Sequence, residues 1–181
     1  PGQGSYYNPD FITTEGRKHY KGYVTNIITD MGIDWLENDR DKEKPFVLFL
    51  HHKVAHRNWM ADTLHLALYE DKTFELPENF YDDYEGRLAA AQQELSIASA
   101  HDMDIVNDLK MLREGVKTRL SNAYIKGEYA RLDPAQRAAW DAHYQPIIDA
   151  FYEANLTGDE LAEWKYQRYM RDYAKTVQSL D

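Results

Sequence analysis

From Tyr23 onward the apolar residues Val24, Ile27, Ile28, Met31, Trp35 and Leu36 recur at spacings of three and four, which predicts an amphipathic helix ending near Asn38. A polar turn follows, and then the pattern changes period. Pro45 opens the run Phe46 to Leu50, apolar at every position, which predicts a strand over 46–51 covered on both faces, as in a parallel sheet flanked by helices. A helix followed by such a strand is half of a βαβ unit. In open α/β sheets ligands sit beyond the carboxyl ends of the strands, so His51 to Arg57 fall at the expected site.

Elsewhere the pattern is helical or irregular. The opening through Asn8-Pro9-Asp10 reads as loop, and LHLALYEDKTFELPENF as loop with at most one short helix. Tyr84 to about Leu112 has helical spacing, in two pieces broken near 99–102. Asp133-Pro134 can cap and start a helix running to about Asn155 with a kink at Pro146, and Thr157-Gly-Asp-Glu160 spells a capping box for another. The expected organisation is therefore a partial α/β core over 1–75, with strand 46–51 and a site loop at 52–60, and a mainly helical segment of the same domain over 76–181.

Composition narrows the function classes. A formal net charge of -10, spread along the chain, argues against nucleic acid or an anionic membrane as partner, so an anionic ligand needs a local basic site. With no cysteine there is no disulfide, thiolate metal site or cysteine nucleophile among these residues. No stretch approaches the roughly 20 apolar residues of a membrane span. A start at Pro1 and an end at Asp181 inside a helical pattern both read as cut ends.

Three histidines sit within six positions, but His51 and His52 point to opposite faces of a regular strand and no acid stands at ligand spacing, so the zinc signal is weak. For His51 a plain structural or solvated role is the better reading. Lys53, His56 and Arg57 form a cationic group that suits an anion: a point charge, a titratable donor and a planar fork. A solvated basic loop is the bland alternative, and packing is the default for Trp59. Asp82 with Asp83, and Asp102 with Asp104, are better read as helix-start acids than as a cation site. Tyr166, Tyr169 and Tyr173 have the spacing of a core or interface stripe.

The stretch His52-Lys53-Val54-Ala55-His56-Arg57-Asn58-Trp59 resembles the H-K-x-P-H-R-x-W segment of the type I sulfatases, especially bacterial ones that act on glycosaminoglycans and related glycans. GYVTNIITDMGIDWLEND, KPFVLFLHHK, ELPENFYDDYEGRLAAAQQELSI, DMDIVNDLKM and EWKYQRYMRDYAKTVQSLD are similar to segments of the same group, in the same order. The resemblance implies a partial alkaline-phosphatase-like α/β fold, an incomplete and mostly parallel sheet carrying a largely helical insertion. It implies hydrolysis of a sulfate ester of a sugar, with His56 as the catalytic residue that hydrogen-bonds the sulfate or protonates the leaving oxygen. His52, Lys53 and Arg57 are carried over as substrate contacts. The family's calcium ion and formylglycine nucleophile are implied too, but the residues that supply them lie outside this sequence, so no metal ligand is assigned. Ala55 and Asn58 stand where the family usually has proline. The implied partner is a sulfated carbohydrate, and the implied compartment is the periplasm or the exterior. A non-catalytic module that binds sulfated glycans is the alternative.

Overall fold

The computed structural model describes residues 4–93, 96–97 and 103–180. Near the start, strand β1 (Asp10–Thr13) pairs antiparallel with β2 (Gly16–His19), in register from Asp10 opposite His19 to Thr13 opposite Gly16. The hairpin returns the chain beside its own beginning. Tyr7 bridges Tyr23, the Asn8 amide donates to the Gly22 carbonyl and the Val24 amide to the Tyr6 carbonyl. Tyr6 and Tyr7 are thereby locked next to the start of helix α1 (Val24–Asp34), with both rings buried.

Helix α1 runs into a π turn at Trp35–Asp39, close to the expected end. The following 46–50 segment lies against it. Phe46 meets Trp35 at 5.3 Å between ring centroids, and a Cβ on Gly32 would stand 2.8 Å from Leu50 Cδ1, so a larger residue there would make the Leu50 side chain shift. Exposure alternates along the segment: Phe46, Leu48 and Leu50 are 38–47% exposed, whereas Val47 and Phe49 are 76–77% exposed. That is the period of a strand with one face against α1. The expected strand over 46–51 is nevertheless in no ladder among the described residues, and the hairpin β1–β2 is the only sheet there. A strand exists only through its partners, and these residues place none beside 46–50.

The remaining regular elements are helical. After a 3₁₀ turn at Thr63–His65 come a single turn α2 (Leu88–Ala91), α3 (Ser121–Gly127), α4 (Pro134–Ala154) and α5 (Gly158–Gln178). The long helix expected between Tyr84 and Leu112 is not formed in its described part. Its break near 99–102 lies outside the described residues. From Asp104 the reason is visible: the Asp104 carboxylate accepts from the amides of Val106 and Asn107, and the Asp108 carboxylate from the amide of Asp104. These are the free amides of a first helical turn, capped by Asp104, and the turn goes no further because Lys110 enters the left-handed region at φ 62°. Helix α4 starts as expected, with Asp133 and Gln136 closing a reciprocal capping box and Pro146 inside the helix. For α5 the capping box does not close, since Thr157 makes no side-chain bond to the helix amides.

One buried cluster joins the opening tyrosines, Met60 and Leu66, the 103–111 loop, and Tyr124, Trp140, Tyr144 and Ile148 of α3 and α4. The inward face of α5 is largely charged: Lys165, Arg168, Asp172 and Lys175 are all buried. Asp172 accepts from Arg168 at 2.6 Å and from the Tyr144 hydroxyl at 2.9 Å, with Lys110 at 3.5 Å. Glu70 takes both arms of the Arg168 fork at 2.8 Å each, and also meets His143 and Lys175. Burial pushes the Glu70 carboxyl up, but His143, Arg168 and Lys175 together hold it well below its ordinary 4.5. No helix among the described residues is long and apolar enough to cross a membrane.

Two outcomes are expected. Because Val47 and Phe49 are exposed beside unpaired backbone, isolated residues 1–181 should self-associate, and Val47→Lys with Phe49→Lys should shift them toward monomer in sedimentation velocity; a monomeric unsubstituted chain contradicts this. Glu70→Gln leaves the buried Arg168 and Lys175 with Asp172 alone as counter-charge and should cost about 3 kcal/mol in a denaturant melt. Since the Glu70 carboxyl is depressed on folding, its stabilisation is present above pH 4.5 and drains away below it, so Glu70→Gln should also flatten the acid limb of the stability profile. An unchanged acid limb contradicts the assignment.

Candidate functional site

The residues after the apolar segment are placed mainly by tyrosines. The Tyr6 hydroxyl donates to the His56 carbonyl at 2.5 Å, Tyr7 to the Ala61 carbonyl at 2.6 Å and Tyr23 to the Met60 carbonyl at 2.9 Å. Each ring is buried in the core, and burial raises each phenol, so all three stay protonated donors at neutral pH. The His56 amide closes a turn onto the Lys53 carbonyl at 2.8 Å. His56 is thus pinned at both its N–H and its C=O, while the residue itself is exposed.

The His56 ring has a fixed orientation as well. Its Nδ1 is hydrogen-bonded to the main-chain carbonyl of Arg57. A carbonyl only accepts, so Nδ1 carries a proton and the neutral ring keeps its lone pair on Nε2. A second proton turns Nε2 into a charged donor of the kind an oxyanion binds. Around the ring lies a cavity of about 260 Å³ bordered by Lys53, Arg57, Asn58, Asn107, Leu120 and Glu128.

The four sequence-predicted residues do not converge on one cavity. His51 and His52 line a larger groove of about 590 Å³, together with Arg17 and Arg131. His52 Nδ1 is buried and has no hydrogen-bond partner among the described residues. Exposed His51 sits edge-on to Phe49 with ring centroids 5.9 Å apart, in keeping with a solvated role. Lys53 borders both cavities, but its ammonium turns inward, 3.7 Å from Glu128 Oε1 and 4.8 Å above the Tyr6 ring. Burial lowers Lys53 and raises Glu128 from their ordinary values, against their mutual attraction, because both charges have lost water. Arg57 is expected to face a substrate, yet its Nε donates to Asp108 Oδ1 at 2.7 Å and its Nη2 to Oδ2 at 2.5 Å. Trp59 packs against Tyr169 and Tyr173, which is the structural role expected for it.

Sequence reasoning overlooked the residues that hold this arrangement. Glu128 receives the Tyr6 amide at 2.9 Å and faces Lys53, and Asn107 receives the side chain of Asn58 at 3.0 Å on its carbonyl. Asp108 lies in DMDIVND four residues after Asp104, a spacing that suits a helix as well as a loop, and Tyr6 carries no local signal. Among the described residues no group of three histidines, cysteines, aspartates or glutamates is placed to hold a metal ion.

No protein-family model matches the chain. It is 42% identical over 182 residues to an N-acetylglucosamine-6-O-sulfatase of Bacteroides thetaiotaomicron, a match that takes in 99% of this chain and 32% of that protein. It also superposes on a solved structure of a protein in complex with its substrate D-glucosamine-2-N,6-O-disulfate, with a TM-score of 0.85 and 41% identity, over 98% of this chain and 36% of that one. The chain thus spans about a third of the length of the curated relative it matches. The likeness read from His52 to Trp59 therefore extends over almost the whole chain, which is similar to about a third of a sulfatase.

Proposed function

We propose that the protein to which these residues belong hydrolyses a sulfate ester of a sugar, with a 6-O-sulfated glucosamine as the substrate class. The match to an N-acetylglucosamine-6-O-sulfatase across 99% of the chain carries this reading. The likeness to a protein solved with a 2-N,6-O-disulfated glucosamine supports it.

Within that reaction His56 serves the sulfate group. With Nδ1 engaged by the Arg57 carbonyl, the protonated ring offers Nε2–H to a sulfate oxygen or to the leaving oxygen, where negative charge grows as the S–O bond breaks. Its exposure on a backbone fixed at two points favours such a donor, because little reorganisation is needed when the charge develops. Lys53 borders the same cavity as His56 but is held by Glu128, and His52 lines the neighbouring groove.

Neither the nucleophile nor the calcium ion of the type I sulfatases fits onto these residues. There is no cysteine, no serine followed by x-Pro-Ser-Arg, and no three-ligand acidic or histidine group among the described residues. An alkaline-phosphatase-like sheet is proposed for the whole protein, with 46–50 as one of its strands. Support comes from its five consecutive apolar residues, its alternating exposure and the cover that α1 gives one face.

His56→Ala in the full-length protein should lower turnover of N-acetylglucosamine 6-O-sulfate by about 100-fold or more, with the melting temperature nearly unchanged since the ring is exposed. Turnover near that of the unsubstituted protein would overturn the role of His56.

A further inference from the structure

The Asp108 carboxylate is fully buried, and all of its accepting capacity is used. Oδ1 receives Arg57 Nε and Asn107 Nδ2, both at 2.7 Å; Oδ2 receives Arg57 Nη2 at 2.5 Å and the Asp104 amide at 2.8 Å. Four donors are about what an ionised carboxylate can accept. The two from Arg57 form a parallel fork, a geometry that fixes direction as well as distance. Next to it, buried Asn58 sends its amide nitrogen to Asn107, at 3.0 Å from the carbonyl and 3.2 Å from Oδ1. Two consecutive residues of the site loop are thus fastened to one turn of the 104–111 loop.

That loop is itself rigidly held. Asp104 Oδ1 accepts from the amides of Val106 and Asn107 and from the Thr118 hydroxyl. Lys110 donates to the Asp108 carbonyl at 2.5 Å and faces Asp172 of α5. The Arg57 side chain is anchored to this frame, and its main-chain carbonyl holds Nδ1 of the His56 ring. The order of contacts is Asp108 to the Arg57 guanidinium, along the Arg57 backbone, and from its carbonyl to His56.

We infer that Arg57 is a positioning residue and that Asp108 is its anchor: together they fix the orientation and the Nδ1–H tautomer of His56, and Arg57 is not a grip on the sulfate. The inference rests on the proposed role of His56, and it removes Arg57 from the substrate contacts that the sequence suggests. Lysine in place of Arg57 keeps the positive charge for any substrate anion but cannot fork onto Asp108, and this separates the two roles.

The test uses the full-length protein with Arg57→Lys, Asp108→Asn and the double variant, assayed on N-acetylglucosamine 6-O-sulfate. Positioning predicts a kcat about tenfold to 100-fold lower in each single variant, KM within about threefold, and a double variant no worse than the poorer single one. A second measurement needs no turnover: in protein labelled with ¹⁵N at histidine, the His56 ring should be a clean Nδ1–H tautomer in the unsubstituted protein and a mixture in both single variants. A KM about tenfold higher with kcat intact for Arg57→Lys, and no effect of Asp108→Asn, would make Arg57 a substrate contact and overturn the inference. Should Asp108→Asn fail to fold, Arg57→Lys decides alone by the same two measurements. A full-length protein that releases no sulfate removes the proposed reaction, and the tautomer measurement then still decides whether Arg57 and Asp108 set the ring.

Discussion

Asp172 is the charge around which the helical part is assembled. It is wholly buried on α5, and burial alone would drive its carboxyl upward, yet Arg168, Lys110 and Lys175 hold it below the ordinary carboxylate value. Each of those cations is itself buried and tolerable only beside acceptors, so the group stands or falls together. Its members come from separate parts of the chain: Tyr144 from α4, Glu70 from the segment after the 3₁₀ turn, Lys110 from the 104–111 loop, and Arg168, Asp172 and Lys175 from α5. An apolar core would tolerate sliding among these elements, whereas directional charge-assisted bonds fix one relative placement.

This placement reaches the site through Lys110. Its ammonium ties Asp172 to the Asp108 carbonyl, and the Asp108 carboxylate in turn takes the Arg57 fork. From the other side the opening hairpin brings Tyr6 to the His56 carbonyl. His56 is therefore gripped between two frames distant in sequence, one aromatic and one ionic, while its ring stays open to a ligand. A sulfate ester needs donors already aimed where charge will develop, and a ring held this way costs little to reorganise.

Much of this was legible in the sequence where local rules act. The α1 spacing and the Asp133-Pro134 start of α4 follow from periodicity and capping, and both are present. Local rules fail where distant groups decide. The 84–112 pattern does not become long helices: from Asp104 a capped turn ends where Lys110 goes left-handed, its ammonium held by the Asp108 carbonyl and by distant Asp172. The Thr157 box spelling is right, but its side chain makes no cap bond. The inward face of α5 could not be recognised from apolar periodicity, because the residues it buries are mostly charged. The charge of Arg57 is legible in the sequence, but its pairing with Asp108, fifty-one positions away, is not.

The most direct measurement incubates the full-length protein with N-acetylglucosamine 6-O-sulfate and follows inorganic sulfate together with the mass of the sugar. If the protein removes sulfate from a sugar, sulfate and N-acetylglucosamine are released in equal amounts over many turnovers. A sugar that is bound and returned with its sulfate intact would contradict it and leave a binding module.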